Sequence, residues 1–148
     1  MSLTPFTKQQ LLPQEEKLEV ARHKSELFIG IPKETSYQER RICLTPDAVN
    51  SLTSHGHRVL IEAGAGLSSS YSDKEYSDAG AEITADTQKV LGCPFLLKVE
   101  PLTMNEIELV NPNTVVISAI QLKTRKVAYF EALTKKKITA LAFEYIKD

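Results

Sequence analysis

The sequence predicts an α/β domain with an open, doubly wound, mostly parallel sheet and helices on both faces. Three observations predict it. Short apolar runs alternate with amphipathic stretches of helix length from residue 27 onward, the rhythm of βαβ units. The runs are nearly continuously apolar, which is the pattern of strands covered on both faces. Helix start and stop signals punctuate the alternation in the right order.

Taken along the chain, residues 27–31 form the first strand. Thr45-Pro46-Asp47 opens a helix, with threonine as cap and proline at the first helical position. That helix turns Val49 and Leu52 inward and ends at Gly56. Residues 58–62 are the second strand, and Ser72 with Glu75 forms a capping box for a helix that Gly80 closes. A brief strand at 81–84 precedes a helix at 86–91, stopped by Gly92. The strand at 94–99 is interrupted by Lys98, and Thr103 with Glu106 makes a second capping box whose helix ends before Asn111-Pro112. A β-branched strand follows at 114–120. Thr124 is expected to cap a helix running to about Lys136, with Val127, Phe130 and Leu133 on one face, and 138–143 is the last strand. This arrangement is of the Rossmann-like or flavodoxin-like kind. Residues 1–26 differ in composition and read as an N-terminal extension, with a surface helix in 9–24; residues 27–148 form the domain proper.

Composition narrows the function. The chain has 148 residues, 42% of them hydrophobic and 25% charged, with a net charge of -1. That suffices for one domain with a real core. There is no excess of Lys and Arg for a phosphate backbone, so no nucleic-acid partner is expected. The N-terminus MSLTPFTKQQ has no apolar signal core, and Cys43 and Cys93 show no CxxC spacing, as in a cytoplasmic protein with reduced thiols.

In open α/β folds, ligands bind beyond the carboxyl ends of the strands. That rule selects Lys33 and Glu34, Glu62, Lys98, Gln121 and Glu144, with Arg41 in the loop after the first strand. Lys98 stands inside FLLKV at 95–99. An ammonium there must either snorkel to water from an edge strand or meet an anion. Arg41 has the fork geometry to grip a carboxylate, or is a surface residue beside Glu39 and Arg40. Gly64-Ala-Gly66 follows a strand but lacks the third glycine of a dinucleotide loop, because position 69 is serine. It reads as a structural turn. His55 and His57 flank a helix end, His23 stands alone, and no Cys/His cluster suggests a metal. Lys135, Lys136 and Lys137 read as a solvated run that compensates a helix dipole.

Several ordered blocks then resemble a known family. They are IGIPKE at 29–34, ERRICLTP at 39–46, HGHRVLIE with AGAG at 55–66, YSDAGA at 76–81, LKV at 97–99 with Pro101, and NPNT at 111–114. Together they resemble the N-terminal domain of the alanine dehydrogenase and pyridine nucleotide transhydrogenase family, over about residues 28–146. The resemblance implies that Arg41 binds the substrate carboxylate and that Lys98 contacts a keto acid and stabilises charge on its carbonyl oxygen. Gln121, in IQL at 120–122, stands where alanine dehydrogenases carry a catalytic histidine. Glutamine hydrogen-bonds but cannot shuttle a proton near neutral pH.

The expectation is therefore the substrate-side domain of an NAD(P)-dependent oxidoreductase interconverting L-alanine with pyruvate and ammonia. NAD or NADP would be bound mainly by a nucleotide-binding domain absent from this sequence, so that the chain alone is inactive and holds no cofactor. The partners implied are a small 2-oxo acid or amino acid, that second domain, and further copies in a homo-oligomer. Alternatives are the N-terminal domain of a transhydrogenase α subunit, a saccharopine-dehydrogenase-like enzyme, or a non-enzymatic module that senses a small carboxylate.

Overall fold

A computed structural model describes residues 25–146. The extension helix expected in 9–24, and His23 with it, lies outside the described residues. In chain order the elements are β1 (Phe28–Ile31), α1 (Pro46–Ser54), β2 (Arg58–Glu62), α2 (Asp73–Asp78), β3 (Glu82–Thr84), α3 (Thr87–Leu91), β4 (Phe95–Leu97), α4 (Met104–Leu109), β5 (Val115–Ser118), α5 (Val127–Lys135) and β6 (Thr139–Ala142). The six strands form one sheet in the order β3-β2-β1-β4-β5-β6, and every pairing is parallel. The chain winds outward from β1 to β3, crosses back through α3, and winds outward again to β6. The reversal lies between β1 and β4, so the crevice at their carboxyl ends is where this topology builds ligand sites.

Local chemistry sets most element starts. The Thr45 hydroxyl accepts the amide of Ala48 at the head of α1. Ser72 with Glu75, and Thr103 with Glu106, form complete capping boxes on α2 and α4. Asp86 takes the amides of Gln88 and Lys89 at the start of α3.

Alternation along the strands divides the core in two. Ile29, Ile31, Val59 and Ile61 meet Val49 of α1 and Tyr76 of α2 on one face. Leu60, Leu96 and Val116 meet Val90, Ile107, Tyr129 and Leu133 of α3, α4 and α5 on the other. Gly30 allows α3 to close on β1, since a Cβ there would lie 2.5 Å from the carbonyl oxygen of Val90. Helices thus lie on both faces, but coverage is uneven. The cross-strand row Leu97, Ile117 and Leu141 turns away from α4 and α5, and Leu141 is 47% exposed.

The C-terminal half departs from the sequence reading in three places. Thr124 does not cap α5; its hydroxyl donates to the Gln121 carbonyl, and Lys126 occupies the cap position without a side-chain bond. The helix consequently buries Tyr129 and Leu133, while Val127 is 72% exposed. Lys136 is no solvated residue: its ammonium donates to the carbonyls of Glu108 and Val110, closing the end of α4. The last strand stops at Ala142, and Phe143 begins a 3-10 turn. Among the described residues no helix is long and apolar enough to cross a membrane.

Candidate functional site

Two chain segments build the site at the β1/β4 crevice. The first runs from β1 through Pro32, Lys33 and Glu34 to the loop carrying Arg41 and Cys43. The second leaves β4 through Lys98, Val99 and Glu100 and enters α4.

Lys98 is 1% exposed. It extends β4, which lies between β1 and β5, and its amide donates to the Ile117 carbonyl at 3.1 Å. The edge-strand alternative is therefore gone, and the ammonium meets an anion. That anion comes from the protein itself. Lys98 Nζ lies 2.9 Å from Glu106 Oε1 and 3.0 Å from Oε2, with Glu34 Oε2 at 3.7 Å. Glu106 is fixed by its capping role, since Oε2 also accepts the Thr103 amide at 2.7 Å. Glu34 ties the two segments together by accepting the Val99 amide at 2.6 Å through Oε1. Burial pushes its carboxyl above the usual range, against the opposing pull of the Val99 amide and the Lys98 ammonium.

Arg41 is exposed and forks onto Glu39, with Nε donating to Oε1 at 2.9 Å and an Nη to Oε2 at 2.7 Å. This fork holds the Glu39 carboxyl down to about 2. Arg41 and Lys98 nevertheless line one cleft of about 420 Å³, whose walls are Ile42, Cys43, Leu44, Leu97, Val99, Ile117 and Phe143. The loop wall is pinned from below, where the Tyr76 hydroxyl donates to the Leu44 carbonyl at 2.7 Å. Burial pushes the Cys43 thiol up to about 12, so it sits in the cleft as a protonated, weakly polar wall rather than a nucleophile.

Gln121 lies in a neighbouring hollow with Leu122, Lys123, Thr124, Glu144 and Tyr145, apart from the cleft. Its backbone is left-handed, with φ of 55°. Glu144 Oε1 holds that turn by accepting the amides of Ile120 and Gln121 at 2.8 and 2.7 Å. The Gln121 amide group donates to Glu100 at 3.2 Å, and its oxygen accepts from Arg125 at 3.3 Å.

The other strand-end residues serve the framework. Glu62 accepts the Lys33 amide and the Thr87 hydroxyl, tying β2 to the loop after β1 and to α3. Glu106, Cys43, Tyr76 and Phe143 enter the site although strand-end reasoning does not select them.

The Gly64–Gly66 segment is a structural turn. Leu67–Ser69 is a three-residue 3-10 helix, and a Cβ on Gly66 would lie 2.5 Å from the Tyr76 ring. That glycine serves packing against α2. His57 accepts the Leu27 amide, His55 contacts the Ser51 carbonyl, and no metal-binding cluster occurs among the described residues.

Residues 30–148 match the family described as alanine dehydrogenase/PNT, N-terminal domain. The alanine dehydrogenase of Bacillus subtilis (strain 168) is 37% identical over 122 residues, covering 82% of this chain and 32% of that protein. That of Methanococcus maripaludis is 36% identical over 122 residues, with the same shares. Among solved structures, an L-alanine dehydrogenase superposes with a TM-score of 0.76 at 30% identity, over 80% of this chain and 32% of that one. A transhydrogenase from Sinorhizobium meliloti superposes at 0.73 and 30% identity, over 81% of this chain and 36% of that one. The chain thus spans about a third of the length of the curated relatives it matches.

Proposed function

The chain belongs to the alanine dehydrogenase/PNT family, as that family's N-terminal domain, and on this footing we propose that it is the substrate-side domain of an NAD(P)-linked oxidoreductase. The substrate is a small 2-oxo acid or its amino acid, with pyruvate and alanine the pair that the relatives' names suggest. One observation carries this reading: Arg41 and Lys98 line the same cleft at the topological switch point.

The chemistry follows from the donors. Arg41 exchanges Glu39 for the substrate carboxylate, a like-for-like swap of fork partners. Lys98 has three N–H donors and directs two of them at Glu106, which leaves one for a substrate oxygen. Leu97, Val99 and Ile117 supply the apolar wall that strengthens such contacts. On the same reading, NAD or NADP is held mainly by a nucleotide-binding domain outside this sequence. This chain's part is to bind, orient and balance charge. Assembly into a homo-oligomer belongs to the same proposal.

Gln121 favours a second reading, the N-terminal domain of a transhydrogenase, because its side chain cannot carry a proton at neutral pH. A chimera separates the two. This chain replaces the matching third of the Bacillus subtilis alanine dehydrogenase, with Gln121 kept or changed to histidine. We expect Gln121→His to raise NAD-linked alanine oxidation at least ~100-fold over the Gln121 chimera, the ordinary yield of general acid–base catalysis. Equal and negligible rates in two chimeras that melt cooperatively would reject the alanine dehydrogenase reading.

A further inference from the structure

Two carboxylates share one ammonium at the end of β4, and they are not equivalent. The side chains of Lys98, Glu34 and Glu106 are 1%, 8% and 11% exposed. Both Glu106 oxygens have donors, each facing Lys98 and Oε2 also accepting from Thr103. Glu34 has a donor on only one. Its Oε1 takes the Val99 amide, but Oε2 has no hydrogen-bond donor; the only other such buried side-chain atom among the described residues is Arg125 Nε. At 3.7 Å from Lys98 Nζ, Oε2 lies beyond hydrogen-bond reach. A buried carboxylate oxygen without a donor is costly, and protonation both removes the charge and turns that oxygen into a donor.

A small anion in the cleft brings another negative charge beside Lys98, and like charge favours the protonated form of a neighbouring carboxyl. We infer that Glu34 is a positioning residue of this cleft, taking up one proton from solvent when a small carboxylate binds beside Lys98 and returning it when the anion leaves. This rests on the proposed function, that the cleft accepts a 2-oxo or amino acid. The groups facing Glu34 leave it as the acceptor. Lys98 and Glu106 are mutually paired, Arg41 stays a cation whether it forks Glu39 or the bound anion, and the Cys43 thiol is already protonated, raised to about 12. Burial has lifted Glu34 in the direction the step requires.

The test uses the whole 148-residue chain and pyruvate as the probe. The Glu34 carboxyl carbon is titrated by NMR with and without pyruvate, and pyruvate affinity is measured from pH 5 to 9 for the wild type and Glu34→Gln. We expect the Glu34 midpoint to rise when pyruvate is bound. Affinity should be greatest below the free-chain midpoint, fall by up to about tenfold per pH unit above it, and level off beyond the bound-chain midpoint. Glu34→Gln should bind without that dependence. An unchanged midpoint, or a Glu34→Gln variant that keeps the wild-type pH profile, would overturn the inference and leave the proposed function standing. Absence of pyruvate binding would overturn both. Should Glu34→Gln fail to fold, the wild-type midpoint shift alone decides.

Discussion

Replacing Lys98 by alanine is expected to destabilise the fold by about 3–5 kcal/mol and to abolish binding of a small carboxylate. The size follows from what is left behind. Glu106 loses its cation and Glu34 loses the nearest positive charge, both with side chains almost out of water. A domain of ordinary stability has only about 5–15 kcal/mol to lose. The sign with pH is definite. Burial already raises the Glu34 carboxyl, and protonating it removes its stranded charge, so the deficit is largest at high pH and shrinks as pH falls. Urea unfolding of wild type and variant at pH 6 and pH 8 measures it. Lys98→Met keeps the volume without the charge, and it should show the same pH trend with less loss of packing. A deficit independent of pH in both variants would reduce Lys98 to a packing residue.

Tyr76→Ala is expected to cost about 3–5 kcal/mol and to weaken pyruvate binding, although Tyr76 touches no proposed substrate position. Its ring is fully buried, fills the space that Gly66 leaves open, and packs edge-on against Tyr71. Its hydroxyl holds the Leu44 carbonyl, in the loop that carries Arg41 and forms one wall of the cleft. Tyr76→Phe separates the two contributions. It keeps the ring and loses one hydrogen bond, for about 1 kcal/mol, so a drop in pyruvate affinity there reports loop position rather than global stability. Calorimetric unfolding and binding isotherms on the two variants check this. Equal affinity in Tyr76→Phe and wild type would mean that the loop is held by other contacts.

What the sequence made legible was local. Caps at Thr45, Ser72 and Thr103 could be read because each depends on residues within one helical turn. Strands could be read from apolar runs, and the sheet's winding from their alternation with helices. Lys98 stood out because a charge inside an apolar run requires compensation. Glu34 was selected as a strand-end residue, but the pairing of Lys98 with Glu34 and Glu106 was not legible. Glu106 had a sufficient local role as the third residue of a capping box, and nothing in sequence shows that the same carboxylate turns toward Lys98. Glu34 reaches Val99 across 65 positions. The Thr124 and Lys136 assignments failed for a related reason. A hydroxyl that looks like a cap can close the preceding turn, and a lysine beyond a helix can find another helix's free carbonyls. Arg41 read either as a grip for a carboxylate or as a surface arginine beside Glu39; it forks Glu39, and that it also borders the Lys98 cleft depends on how the loop folds.

The most direct measurement is NMR mapping of pyruvate on the isotope-labelled whole chain, with an Arg41→Ala variant as comparison. The expected result is a saturable set of shift changes centred on Glu34, Arg41, Cys43, Lys98, Val99 and Ile117, absent around Gly64–Gly66 and strongly weakened in the variant. Shift changes centred elsewhere, or a response that Arg41→Ala leaves intact, would contradict a shared arginine–lysine anion cleft.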